Sequence, residues 1–248
     1  MNRAETERLG RPRVHHRVTD STSARARTLA ESGAPHGTLV TAGEQTAGRG
    51  RQGRRWEAAP GAALLASLVL RGMNERAELL PLAAAVATCE ACDAVAPVRC
   101  KIKWPNDVWV ERGKVAGILV EGRPQEGWAV LGIGVNLADP PAGFPPELAA
   151  SASALGLEPT GGRAAETVLA PLLDALDRWL AKDAERVLAA WRERDGLRGE
   201  TISWSGGEGV AAGIDSAGSL LVDTAQGMVA LDAGEVHLGP PAGARSRD

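Results

Sequence analysis

Three short blocks hold the residues with the greatest capacity for chemistry. The first, Gly48-Arg49-Gly50-Arg51-Gln52-Gly53-Arg54-Arg55-Trp56, interleaves arginines with glycines. Guanidinium forks bind carboxylate and phosphate oxygens, and glycine lets a backbone come close to a ligand. Such a segment can close over an anion. Its spacing also matches G-x-G-x-x-G. The dinucleotide fingerprint, however, opens a helix and has an acidic residue about 20 positions later. Here an apolar run, Ala62 to Leu70, comes next and ends at Arg71. An RGG-like RNA-binding reading has one aromatic, Trp56, to support base stacking.

The second block is Lys101-Ile102-Lys103-Trp104-Pro105-Asn106-Asp107, followed by Lys114-Val115-Ala116-Gly117-Ile118-Leu119. Lysines at a strand end and on a hairpin can place point charges in one cleft, although a lysine taken alone is more often solvated than catalytic. Gly113-Lys114 lacks the Ser/Thr and the upstream glycine of a P-loop. In the third block, Gly132-Ile133-Gly134-Val135-Asn136-Leu137, two glycines in an apolar strand suggest close approach of a ligand or of another backbone. Asn136 can read an adenine edge through its amide or simply cap the strand end.

These residues need elements to position them. Ser21 and Thr22 are N-cap types before a helix expected over 23–32 and stopped by Gly33. Strands are expected at 38–42, 62–70, 98–103, 108–110, 115–120 and 128–137, the Glu111-Arg112-Gly113 stretch being a hairpin signal. An Ala-rich helix covers 79–95, with Pro81 in its first turn. Pro140, Pro141, Pro145 and Pro146 mark a surface connection. Amphipathic helices follow at 164–181, which Pro171 could kink or divide, and at 183–195. After 196–199, a linker, short strands alternate with turns up to residue 238, as in a small β-barrel. The expected division is a disordered arm at 1–12, a catalytic domain at 13–195, a C-terminal domain at 196–239 and a loose tail at 240–248.

Composition removes several alternatives. A net charge of −3 argues against non-specific nucleic-acid binding. No apolar run approaches the roughly 20 residues that span a bilayer, and residues 1–12 carry no apolar signal segment, so a cytoplasmic location is expected. Cys89 and Cys92 form a C-x-x-C pair with no second pair to complete a structural zinc site. They read as buried, inert thiols, and the four histidines have no metal-ligand spacing. No protein metal ligand is identified.

Taken in order, Asp20-Ser21-Thr22-Ser23, Gln45-Thr46-Ala47 with the arginine loop, Lys103 to Asp107, Lys114 to Leu119 and Gly132 to Leu137 resemble the biotin protein ligases, over about residues 18–239. The end of the chain resembles that family's small SH3-like domain. The resemblance implies an α+β fold: a mixed β-sheet with helices on one side, like class II aminoacyl-tRNA synthetases, plus an SH3-like β-barrel. It implies ATP-dependent ligation of biotin, through biotinyl-AMP, to a lysine of a biotin carboxyl carrier domain of an acyl-CoA-type carboxylase, with Mg²⁺ on the phosphates.

Biotin would be bound by Ser21, Thr22, Ser23, Gln45, Arg49, Gly50, Arg51, Lys114 and Gly117. ATP and the adenylate would meet Arg49, Arg51, Arg54, Trp56, Lys103, Asn106 and Asn136. Lys114, Arg51 and Asp107 would carry the chemistry. Ser23 stands where the family usually has Asn. The alternatives are a lipoate or octanoate ligase of the same fold and a non-catalytic biotin-sensing regulator. About 17 residues precede the Asp20 block, where the resemblance begins near residue 18, too few for a helix-turn-helix, so no specific DNA binding is expected. A homodimer remains open.

Overall fold

Apolar and small residues alternate with period two along Trp128–Asn136, and this strand organises the larger sheet. The computed structural model describes residues 8–72, 78–123, 126–140, 143–158 and 163–239. Seven strands form one sheet: β1 (Arg13–His16), β2 (Leu39–Ala42), β3 (Ala63–Arg71), β4 (Lys101–Lys103), β5 (Asp107–Val110), β6 (Gly113–Arg123) and β7 (Trp128–Asn136). Their order is β1-β2-β3-β7-β6-β5-β4. Only β1 and β2 run parallel; the other five pairings are antiparallel, so the sheet is mixed.

Among the described residues four helices cover it: α1 (Thr22–Glu31), α2 (Leu80–Val95), α3 (Arg163–Leu180) and α4 (Ala184–Glu193). Because side chains alternate across a strand, each strand serves two faces. Leu64, Leu68 and Leu70 of β3 and Leu131, Ile133 and Val135 of β7 join one core with α2, α3 and α4. On the opposite face, Val69 and Val130 pack under Ala26 and Ala30 of α1. Three helices therefore share one face, and the fourth covers part of the other. The rest of that second face is open. Pro171 lies inside α3 without dividing it.

The smaller sheet contains β8 (Thr201–Trp204), β9 (Gly207–Ile214), β10 (Leu220–Thr224), β11 (Gly227–Leu231) and β12 (His237–Leu238), ordered β11-β10-β9-β8-β12 and antiparallel throughout. Its apolar residues Ile202, Ala211, Ile214, Leu220 and Val222 belong to the same core as α2–α4. Trp104 donates its indole N–H to the Gly218 carbonyl at 3.0 Å, and Arg192 donates to the Ile214 carbonyl at 3.1 Å. The small sheet is thus anchored to the large unit next to the Trp104–Asp107 turn.

Two expectations are corrected. Residues 9–12 do not form a disordered arm: Leu9 is buried and donates its backbone N–H to Asp177, and Gly10 donates to the Gly37 carbonyl. Residues 1–7 and 240–248, and Pro141 in the connection, lie outside the described residues. Secondly, the strand expected over 98–103 begins only at Lys101. The Val98 N–H closes a turn onto the Ala96 carbonyl, so Val98 is not available to the sheet. Strand β1 was not expected. Arg, Val, His, His has no clear alternation, and its pairing is decided by the open backbone edge of β2.

Candidate functional site

The open half of the second face is a cleft of about 770 Å³. Its floor is β3, β6 and β7, and its roof is the arginine loop. The segment around Phe144, Pro145 and Leu148 forms part of its wall, and Glu235, before β12, and His237, in β12, reach it from the C-terminal unit. Gln45, Lys103, Asn106, Asp107, Lys114, Gly117, Asn136 and the loop residues Arg49 to Gln52 and Arg54 to Trp56 all line it, so elements far apart in sequence converge there.

At one end the floor is polar. Ser21 caps α1, its hydroxyl accepting from the Ala24 N–H at 3.4 Å. That cap orients the first turn, and Thr22 and Ser23 are buried behind it. Gln45 Oε1 accepts from the Thr22 N–H at 2.7 Å and from its hydroxyl at 3.0 Å. Ser67 of β3 donates to Thr22 Oγ1 at 2.8 Å and lies 3.1 Å from Ser23 Oγ. A Cβ on Gly132 would fall 2.6 Å from Ser23 Oγ. Ser67 was not expected in the site. Its signal in the sequence was a lone hydroxyl inside an otherwise apolar strand, which needs partners when buried.

At the other end are the cations. Arg51 donates to Asn106 Oδ1 at 2.9 Å, while Asn106 donates to the Ile118 carbonyl at 2.8 Å. Lys114 Nζ lies 2.7 Å from Asp107 Oδ1. Strand alternation alone would put Lys114 on the helix-covered face with Ala116 and Ile118. A register shift between β5 and β6 intervenes: Ala116 pairs with Val108 but Lys114 pairs with Trp109. Such a bulge inserts one extra residue and reverses the face of what precedes it. Lys114 therefore reaches the cleft. Lys103 Nζ sits 5.2 Å from the Trp109 ring centroid. Burial lowers the pKa of its ammonium, against the nearby carboxylates of Asp107 and Glu235.

In the loop, a Cβ on Gly48 would meet the Trp56 carbonyl at 2.3 Å, so glycine permits that crossing. The Gly50 N–H donates to the Arg54 carbonyl at 2.8 Å. Arg49 pairs with Glu121 at 3.2 Å, and Arg54 pairs with Glu235 in the connection between β11 and β12. The Trp56 ring lies over the floor glycines: a Cβ would approach it to 2.9 Å from Gly117 and 2.5 Å from Gly134. Lys114 Nζ is 5.7 Å from the same ring, a cation–π arrangement. The space that Gly117 leaves free is thus taken up by Trp56 and Lys114. Trp56 Nε1 is buried with no hydrogen-bond partner, a donor that a ligand acceptor could satisfy.

Asn136 differs from its expected use. Its amide donates to the Ser153 carbonyl at 3.0 Å and to the Lys114 carbonyl at 3.4 Å, leaving its oxygen as the part able to read a ligand. The proline-rich connection, expected on the surface, walls the cleft instead, and the Lys114 N–H donates to the Ser151 carbonyl. Phe144, the single phenylalanine, was its available signal. Cys89, Cys92 and Cys100 are free and buried, and burial pushes the Cys89 thiol well above its ordinary pKa.

The arrangement can hold an elongated ligand with a polar head among Thr22, Ser23 and Gln45, braced from behind by Ser67, and with anionic groups between Arg49, Arg51, Lys103 and Lys114. Comparison with known proteins points the same way. Residues 15–137 match the Biotin/lipoate A/B protein ligase family and residues 199–239 match the Biotin protein ligase C terminal domain. A biotin--[acetyl-CoA-carboxylase] ligase of Paracoccus denitrificans is 38% identical over 89% of this chain and 98% of its own length. The bifunctional ligase/repressor BirA of Bacillus subtilis is 31% identical over 95% of this chain and 76% of its own. The structure of the Aquifex aeolicus biotin protein ligase with biotin and ATP superimposes with a TM-score of 0.77 at 26% identity, covering 92% of this chain and 99% of that one.

Proposed function

This chain belongs to the biotin protein ligase family, and from that premise we propose how its cleft activates biotin and hands it to a carrier lysine. The protein is an ATP-using ligase that biotinylates the biotin carrier of a carboxylase. The observation that carries the assignment of residues is the meeting of Arg51, Lys114 and Asp107 beside a polar pocket in one cleft.

A carboxylate is a poor electrophile, and adenylation gives its carbonyl carbon a leaving group, AMP. The barrier is electrostatic, because an anionic carboxylate must attack an anionic α-phosphate. Cations placed where the charge accumulates lower that barrier, each by on the order of 3 kcal/mol. Lys114 and Arg51 do this work, with Lys103 and Arg54 on the polyphosphate and Arg49 on the biotin carboxylate. Thr22, Ser23 and Gln45 bind the ureido ring, Ser21 fixes the turn that presents them, Gly50 and Gly117 allow close packing, and Trp56 and Asn136 border the adenine. Asp107 holds Lys114 before substrate arrives and afterwards faces the incoming carrier amine.

Magnesium would supply charge neutralisation on the phosphates. Among the described residues, no group of three His, Cys, Asp or Glu side chains is placed to hold an ion, so phosphate oxygens and water would coordinate it.

The proposal extends to a catalytic domain at 13–195 with an SH3-like domain at 196–239, to an acyl-CoA-type carboxylase as the carrier's parent, and to a cytoplasmic location, in line with the absence of a helix long and apolar enough to cross a membrane among the described residues. A homodimer is open to sedimentation measurement. The net charge of −3 opposes non-specific phosphate contacts; the reading also includes no sequence-specific DNA binding, and a saturable, salt-resistant shift of a biotin-operon promoter fragment would refute that.

The deciding experiment mixes the protein with ATP and either biotin or lipoate and measures pyrophosphate. Release with biotin and not with lipoate is expected; release with lipoate alone would replace the assignment by the lipoate-ligase alternative.

A further inference from the structure

Glu121 is an acid just beyond the lining of the cleft, where it meets Arg49 of the arginine loop. It follows Gly117 and Leu119 on the cleft face of β6, opposite Val130, one step beyond the Leu119–Gly132 pair that adjoins Ser23. Its side chain is 20% exposed. One oxygen, Oε1, takes both Arg27 of α1 and, at 3.2 Å, Nη1 of Arg49. The other, Oε2, is buried without a hydrogen-bond partner. Burying a carboxylate costs free energy unless it is paired, and two guanidinium groups overcompensate this one. The trio is net positive, so the acid does not turn the cleft against anions.

The two arginines differ in what holds them. Arg27 stands on a helix capped by Ser21, whereas Arg49 belongs to a glycine-rich loop. We propose that Glu121 is a positioning residue that holds Arg49 at the biotin end of the cleft before substrate binds. This inference rests on the cleft being a biotin-adenylate site. Arg51 reaches the opposite end through Asn106 and Arg54 pairs with Glu235, so Glu121 is one of three holds on the loop.

A guanidinium carries five N–H donors, and the ion pair engages Nη1. The same fork can therefore accept a ligand carboxylate while Glu121 keeps it in place. Because Arg49 is already oriented, biotin need not supply the ordering of that side chain.

The test is the biotin KM and kcat for pyrophosphate release at saturating ATP, in wild type, Glu121→Gln, Arg49→Ala and the double variant. Glu121→Gln should raise the biotin KM about tenfold and leave kcat nearly unchanged, and in the Arg49→Ala background it should add nothing further. A wild-type KM in Glu121→Gln, or an increase that adds fully to that of Arg49→Ala, overturns the inference. Failure of the wild type to turn over biotin would overturn the reading of the cleft instead. If the unpaired Arg27 prevents folding of Glu121→Gln, Glu121→Gln with Arg27→Gln removes both charges and should show the same rise in KM. A folded form of that variant with normal KM overturns the inference equally.

Discussion

Residues on the two sides of β7 meet opposite demands. Toward α2–α4 it presents Ala129, Leu131, Ile133 and Val135, all buried in the main core. Toward the other side it presents Val130 beneath α1, then Gly132, Gly134 and Asn136. One strand thus fills space on one face and progressively clears it on the other. The filled face gains stability from apolar burial and dense contact. On the cleared face, the Trp56 indole N–H and Glu121 Oε2 are buried without partners. Stability and binding are divided between the faces of a single sheet, so a substitution should affect one and spare the other.

The largest expected effect is on the filled face. Leu131→Ala removes a fully buried side chain and should cost roughly 4 kcal/mol in chemical denaturation, while the folded fraction keeps the biotin KM of the wild type. A changed KM would mean that the faces are not independent.

The converse is Lys114→Ala, which should lower the rate of biotin-dependent pyrophosphate release about a hundredfold, equivalent to ~3 kcal/mol, with little change in melting temperature. Near-normal release by the folded variant would remove Lys114 from the chemistry.

A smaller effect belongs to Gly132→Ala. The added methyl would press on Ser23 Oγ and should raise the biotin KM about tenfold, or ~1.4 kcal/mol, without raising the ATP KM. Equal increases for both substrates would show that the polar end does not discriminate between them.

The smallest effect sharpens the comparison from outside the cleft. Asp195 lies between the two sheets, with Oδ1 accepting from Leu197 and Arg198 and Oδ2 buried and unpartnered. Burial raises its pKa. An acid with a raised folded-state pKa binds more protons folded than unfolded, so its contribution to stability falls as pH rises through that window. Asp195→Asn should therefore melt higher than wild type at neutral pH, by at most about 1 kcal/mol, and the difference should shrink on acidification to the carboxylate range. A gain that persists at low pH would show that the charge is not its cause.

The sequence by itself determined the alternating strands, the capped helix at Thr22, the Ala-rich α2 and the change to short strands after residue 196, because periodicity and cap chemistry are local. It also drew attention to the arginine loop and to Lys114, whose residue types restrict the chemistry they can do. Tertiary structure decided the rest. Pairing along the β2 edge made a strand of Arg13–His16. A one-residue bulge turned Lys114 from the helix face to the cleft. Packing placed Ser67 beside Thr22, closed Trp56 over Gly117 and Gly134, and brought Glu121 to Arg49 and Glu235 to Arg54. None of these leaves a local pattern, because each depends on which backbone edge or side chain lies opposite. That is fixed only when residues up to 181 positions apart, as Arg54 and Glu235 are, share one surface.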